Sequence, residues 1–221
     1  MTKLSLIVAV LDSHEVVRRQ LLHLERLLTS DCELILVDDG SAPPLRHTWD
    51  SVRKTFASVL HETGDSRPWT QPRARNIGAK RARAEKLLFF DIDHVVTESV
   101  IAECIAYPGD MLRWVRHLGI LNKDGHIVAE HGELVRYGMT DTSPSVHLNS
   151  FMIRRHLFDR LHGYDERFCG HYGGDDVDFH QRYQQLCAAG LAKPAHVRGE
   201  GFVFPDPARD VKQLFHSLPR S

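Results

Sequence analysis

Leu87-Leu88-Phe89-Phe90-Asp91-Ile92-Asp93 is the stretch whose reading decides the fold. An apolar run that short reads as a buried strand. Buried strands of open α/β sheets end at a crevice where ligands bind. Two carboxylates at i and i+2 on that edge are hard oxygen ligands. They suit Mg²⁺ or Mn²⁺, ions that usually carry a substrate's phosphates. An Asp-x-Asp arises about once by chance in a chain of this kind, and Asp176-Val177-Asp178 is a second instance. The surrounding segments therefore have to decide its meaning.

Outward toward the N-terminus, residues 4–11 are apolar and β-branched, a first strand. Asp12-Ser13 offers an N-cap and Glu15 a first-turn acid, so a helix follows through Val16, Val17, Leu21, Leu22, Leu24 and Leu27-Leu28. Residues 33–37 are a second strand, closed by Asp38-Asp39-Gly40-Ser41 and Ala42-Pro43-Pro44. A short helix over 48–56, a strand over 57–60, a loop over 61–72 and a helix over 74–84 lead back to the strand at 85–90. Alternation of this kind predicts an α/β fold, a mostly parallel sheet flanked by helices. Toward the C-terminus a helix is expected over 97–107. Asn122-Lys123-Asp124-Gly125 marks a hairpin turn. A strand over 146–153, a helix over 155–161, a loop over 163–174, a helix over 175–189 capped by Gly190, and a strand within 194–204 complete the pattern. The last residues, 205–221, carry a helical pattern through Val211, Leu214 and Phe215.

The chain has 221 residues, 42% hydrophobic and 26% charged, which predicts one substantial core in a single domain. A formal net charge of −1 supplies no basic field for nucleic acid. The clusters Arg73-Ala74-Arg75 and Lys80-Arg81-Ala82-Arg83 read equally as solvated helix faces. Fifteen histidines are scattered without metal-ligand spacing. The four cysteines are far apart, with Cys32 and Cys104 in apolar surroundings, which suits a reducing compartment. The run at 4–10 is too short to span a bilayer and lacks a cleavage site. A soluble, cytoplasmic protein is expected, with peripheral membrane association left open.

Three acidic sites stand at element boundaries. Asp38-Asp39 follows the second strand and serves either a base or ribose, or simply the turn before Gly40. Asp91 and Asp93 are either metal and phosphate ligands or a solvated strand end. Gly173-Gly174-Asp175-Asp176 opens a helix, where acids also complement the helix dipole. Taken together the chemistry is sugar transfer. A metal at Asp93 neutralises a diphosphate leaving group, and a carboxylate accepts the proton of the attacking hydroxyl. Adjacent Asp175 and Asp176 repel, so one of them gains base character.

Here the sequence resembles a family. Val37-Asp38-Asp39-Gly40-Ser41, Ala74-Arg75-Asn76-Ile77-Gly78, Phe89-Phe90-Asp91-Ile92-Asp93 and Gly173-Gly174-Asp175-Asp176 occur in the order and spacing of a GT-A-fold glycosyltransferase of the family 2 type. The last motif is also similar to that of β-galactosyltransferases. Asn149 to Arg155 and Leu161 to Phe168 resemble the acceptor-side region. The resemblance implies an inverting, metal-dependent transfer from a nucleoside-diphosphate sugar, UDP-sugars favoured, with Mn²⁺ or Mg²⁺. It implies a donor half at 1–95, an acceptor half at 96–204 and a tail at 205–221. Donor contacts fall on Ala9, Leu11, Asp39 at the base, Arg75 and Asn76 near the diphosphate, Asp91 at the ribose, Ile92, and Asp93 at the metal. Asp91 is the second metal candidate. Asp176 is the general base, Asp175 its acceptor-binding partner, and Gly173 and Gly174 line the acceptor.

Two departures matter. The first strand ends Val8-Ala9-Val10-Leu11-Asp12, without the family's aromatic at position 11. No histidine follows the last core strand, which leaves His196, Glu200, Asp206 and His216 as unranked substitutes for a third metal ligand, and His196 reads equally as a surface strand residue. The acceptor remains open among glycan, protein, metabolite and modified base. Two rivals keep the carboxylates. In a haloacid-dehalogenase-like phosphatase Asp91 is the nucleophile and Asp93 the acid. The other rival is a nucleotide-binding module without turnover.

Overall fold

The computed structural model describes residues 1–67, 69–129, 144–170 and 172–203. Ten strands and six helices follow one another along them. The first half runs β1 (Leu4–Val10), α1 (His14–Leu27), β2 (Cys32–Asp38), α2 (Arg46–Ser51), β3 (Ala57–Glu62), α3 (Gln71–Arg81) and β4 (Lys86–Phe89). The second runs β5 (His94–Val95), α4 (Glu98–Ala106), β6 (Met111–Leu118), β7 (Ile120–Leu121), β8 (Ile127–Val128), β9 (Ser145–Arg154), α5 (Arg155–Arg160), α6 (Asp175–Ala188) and β10 (His196–Val203). A 3₁₀ turn, Glu166–Phe168, interrupts the loop before α6. The helical pattern of the tail, with Asp206 and His216, lies outside the described residues.

One eight-stranded sheet has the order β3-β2-β1-β4-β9-β6-β10-β5. Its first four strands are parallel, as alternation predicts. β9 then runs antiparallel to both β4 and β6, β10 returns parallel to β6, and β5 closes antiparallel on β10. Strands β7 and β8 form the hairpin expected around Asn122 to Gly125. β1 and β2 are buried at every position, which is why both read as unbroken apolar runs.

The sheet buries both faces. Leu6 and Val8 pack with Val17, Leu21 and Leu24 of α1, and Trp114 of β6 with Val100 and Ile101 of α4. On the other face Ile7, Ile35 and Phe89 meet Ala74 and Ala79 of α3, Phe158 of α5 and Phe179 of α6. α3 lies close on β1 because Gly78 has no side chain: a Cβ there would meet Ile7 Cγ2 at 2.4 Å. Phe89, Phe151, Phe158, Tyr164 and Phe179 form an aromatic cluster, with Tyr164 and Phe179 stacked at 4.6 Å. Such pairs add about 0.5–1.5 kcal/mol each beyond their burial. The cluster locks the end of β4 to the start of α6, the two places that carry carboxylate motifs. Cys32 and Cys104 are buried thiols, as their surroundings predict. Among the described residues no helix is long and apolar enough to cross a membrane.

Candidate active site

β1, β2 and β4 all end at one edge of the sheet, and Asp39, Asp91 and Asp93 follow them there. The two residues of the Asp38-Asp39 pair have different work. Asp38 accepts from the backbone N–H groups of Ser41 and Leu45, both within 2.9 Å, and closes the loop after β2. Asp39 is held by Thr70, whose N–H lies 3.1 Å away and whose hydroxyl also donates to it. Burial raises the Asp39 pKa to about 6, with Asp65 and Asp38 adding repulsion against the two Thr70 bonds. Ala9, Val10, Leu11, Asp39, Trp69 and Gln71 line a small cavity of about 20 Å³. The structure therefore brings three sequence-expected donor positions, Ala9, Leu11 and Asp39, to one place.

The Asp91-Ile92-Asp93 segment turns over at the end of β4. Ile92 is 4% exposed and belongs to the core, not to a ligand surface. Gln20 of α1 donates to the carbonyls of Ile92 and His94 at 2.8 and 2.9 Å and holds the turn. Asp91 accepts from Arg75 at 2.6 Å, from Gln71 at 3.1 Å and from Asn149 at 3.1 Å. Burial alone raises the pKa of Asp91, but Arg75, His94, His147 and Asn149 outweigh it and the net shift is downward. Asp93 keeps one-third of its side chain exposed.

Arg75 is 1% exposed. Its guanidinium joins Asp91 after β4, Asn149 of β9 and, at 3.7 Å, Asp175 of α6. Its plane lies over the Tyr164 ring at 5.0 Å. Asn76 bridges Tyr164 and Glu166, with three bonds of 2.8–2.9 Å. The Ala-Arg-Asn motif thus points into protein: Arg75 compensates two carboxylates and Asn76 ties α3 to the loop before α6.

Gly173 and Gly174 have φ of +85° and +91°, so the chain enters α6 through a left-handed stretch that glycine adopts without strain. Asp175 is 4% exposed, and its Oδ2 has no hydrogen bond among the described residues. Burial raises its pKa, with Asp176 adding and Arg75 opposing. Asp176 is more accessible and accepts from the N–H of Val177 at 2.8 Å.

Asp91, His94 and His147 each bring one ligand-type atom within 4.8 Å of the others. One carboxylate and two imidazoles are chemically suitable for a divalent metal. Their hydrogen bonds do not suit one. Arg116 donates to His94 Nε2 at 2.5 Å, so that nitrogen's lone pair is engaged. His94 Nδ1 therefore carries its proton toward Ser150 Oγ. His147 Nδ1 accepts from the N–H of Asn149. Burial lowers the His94 pKa to about 3, with Arg116 and His147 adding, so the ring is neutral. As arranged, this cluster is a hydrogen-bonded network between two guanidiniums and does not fit a divalent ion.

His196 corrects an expectation. It begins β10 beside Tyr107, whereas the strand's other end, Val203, pairs with His94. At about 3.3 Å per residue, seven residues put roughly 23 Å between them. His196 cannot share a metal with Asp93. Asn149, Arg116, His147, Gln71 and Trp69 were given no role by the sequence. Asn149 lies in a segment noted for its likeness; nothing in the local pattern singles out the others.

Residues 5–110 match the family model described as glycosyl transferase family 2. No curated protein matches the chain. S. aureus TarS 1–349 in complex with UDP-GlcNAc superposes with a TM-score of 0.65 at 16% identity, over 96% of this chain and 61% of that one. TarS 1–349 in complex with UDP gives 0.60 at 18% identity, over 96% and 63%. TarS 1–349 without a named ligand gives 0.61 at 20% identity, over 92% and 60%. At these identities the likeness is one of fold, and the chain spans 60–63% of those TarS structures.

Proposed function

We propose that the chain, whose residues 5–110 match the model of glycosyl transferase family 2, is an inverting glycosyltransferase using a nucleoside-diphosphate sugar. The observation that carries this reading is Arg75. Its buried guanidinium binds Asp91 at the donor edge and Asp175 at the start of α6, which holds the two carboxylate motifs as one unit. UDP and UDP-GlcNAc are bound by the TarS structures of the same fold, which favours a UDP-sugar donor here.

Asp39 accepts a hydrogen bond from the base. Asp91, kept ionised by Arg75, faces the ribose. Asp176 takes the proton from an acceptor hydroxyl. The freed oxygen attacks the anomeric carbon while the bond from that carbon to the diphosphate oxygen breaks, inverting the centre. Asp175 stays against Arg75 and aligns its neighbour, while Gly173 and Gly174 admit the acceptor. Asp93, one-third exposed, fits Mg²⁺ or Mn²⁺, which need only one or two protein carboxylates when substrate phosphates supply the rest. Such an ion would neutralise charge on the diphosphate. The phosphatase reading is disfavoured because both Asp91 oxygens are taken by Arg75, Gln71 and Asn149, which leaves a poor nucleophile.

The test is Asp176→Asn. Transfer should fall by about 10²–10⁴, while UDP affinity, measured by calorimetry, stays within about threefold, a difference of under ~1 kcal/mol. Equal loss of both would remove Asp176 as the base.

A further inference from the structure

We propose that Trp69 is the aromatic wall against which the donor's base packs, taking the part of the aromatic residue missing at position 11; the proposal rests on the nucleotide-sugar reading above. Leu11 and Trp69 line the same cavity as Asp39, the carboxylate assigned to the base. A ring on one wall of that cavity therefore meets the flat face of a base whose edge reaches Asp39.

Trp69 is placed there at a cost. Its φ is +55°, a left-handed conformation uncommon for a bulky side chain. Two contacts hold it: the N–H of Gly170 donates to its carbonyl at 3.0 Å, and its ring meets that of Tyr172 edge-on at 4.5 Å. Strain of this kind clusters where ligands are clamped. The next two residues address the donor carboxylates directly, Thr70 on Asp39 and Gln71 on Asp91. Three consecutive residues thus serve one ligand track. The indole N–H is buried without an acceptor among the described residues, and base carbonyls and ribose hydroxyls are acceptors.

The cavity of about 20 Å³ holds a water at most. Ala9, Val10 and Asp39 are buried in the sheet edge, whereas Trp69 is half-buried on a loop. A base fits beside Asp39 only where the half-buried walls, Leu11, Trp69 and Gln71, give way, and Trp69 is the one of the three with an aromatic face to stack on it.

The experiment measures UDP and pyrophosphate binding to the full chain by calorimetry with Mn²⁺, and follows tryptophan emission with UDP. Trp49 and Trp114 are 6% and 1% exposed, so a UDP-dependent emission change reports Trp69. Base–aromatic stacking of ordinary strength predicts that Trp69→Ala weakens UDP about tenfold or more. Trp69→Phe, which keeps a ring but lacks the indole N–H, should weaken UDP less than Trp69→Ala does, and pyrophosphate binding should not change. Circular dichroism checks that both variants fold. Unchanged UDP affinity in Trp69→Ala, or equal weakening of UDP and pyrophosphate, overturns the proposal. A wild-type chain that binds no nucleoside diphosphate overturns the donor reading itself.

Discussion

The two halves of the sheet carry their functional side chains differently. In β3-β2-β1-β4 every strand runs the same way, and Asp39 and Asp91 sit just past the ends of β2 and β4. In β9-β6-β10-β5 the side chains that reach the site come from within strands: Asn149 in β9, Arg116 in β6 and His94 in a two-residue strand. A parallel α/β arrangement exposes loop residues at strand ends, so function follows local punctuation. A mixed sheet delivers residues by register, and register is a property of partners. The two halves are joined at Arg75, which takes an acid after β4 and an acid at the head of α6.

Removing that joint should have the largest effect. Arg75→Met leaves buried Asp175 and part-buried Asp91 without their shared cation. Breaking a buried ion pair from one side costs about 3–5 kcal/mol, so urea denaturation should show a loss of that size. A loss under about 1 kcal/mol would mean that water screens the carboxylates, and that the halves do not depend on the guanidinium.

A smaller effect belongs to the parallel half alone. Asp39 has a pKa of about 6 against an ordinary 3.8. Its ionised form is the better acceptor for a base N–H, so UDP affinity should fall below pH 6, by at most about tenfold per unit. Folding stability moves the other way. The native carboxyl binds its proton more readily than the unfolded one, so this stability is present below pH 3.8 and is lost as pH rises through about 6. Asp39→Asn should flatten both profiles. A UDP affinity constant from pH 7 to pH 5 would remove Asp39 from the base pocket.

The smallest effect is expected in the mixed half. His196→Ala lies at the far end of β10 and is exposed. Stability should change by no more than about 0.5 kcal/mol, and the metal dependence of transfer should match wild type. A weakened apparent Mn²⁺ affinity in this variant would bring β10's start to the site and redraw the comparison.

Much of the fold could be read from short windows. The apolar runs at β1, β2 and β4, the α1 pattern and the hairpin at Asn122 to Gly125 lie where periodicity and turn residues put them. β5 and β6 were not foreseen. β5 has only two residues, too few for a pattern. β6 reads Met-Leu-Arg-Trp-Val-Arg-His-Leu, with two arginines breaking the apolar run. A register shift between Arg113 and Val115 also suspends the alternation that would put Arg116 on the apolar face with Trp114. The family resemblance, carried by the Ala74-Arg75-Asn76 motif, places Arg75 near the diphosphate. Its burial depends on Asn149, 74 residues away, and on Asp175.

By itself the sequence determined the parallel half, the order of the carboxylate motifs and their positions at element boundaries. Those follow from side-chain periodicity and backbone preference, which act over a few residues. Tertiary structure decided which carboxylate of each pair is buried. Asp38 closes a loop while Asp39 stays in the pocket. Asp175 turns to Arg75 while Asp176 remains accessible. It also decided that Ile92 belongs to the core and Trp69 to the Asp39 cavity. Desolvation and charge compensation arise from neighbours far apart in the chain, and only the packed sheet says who those neighbours are.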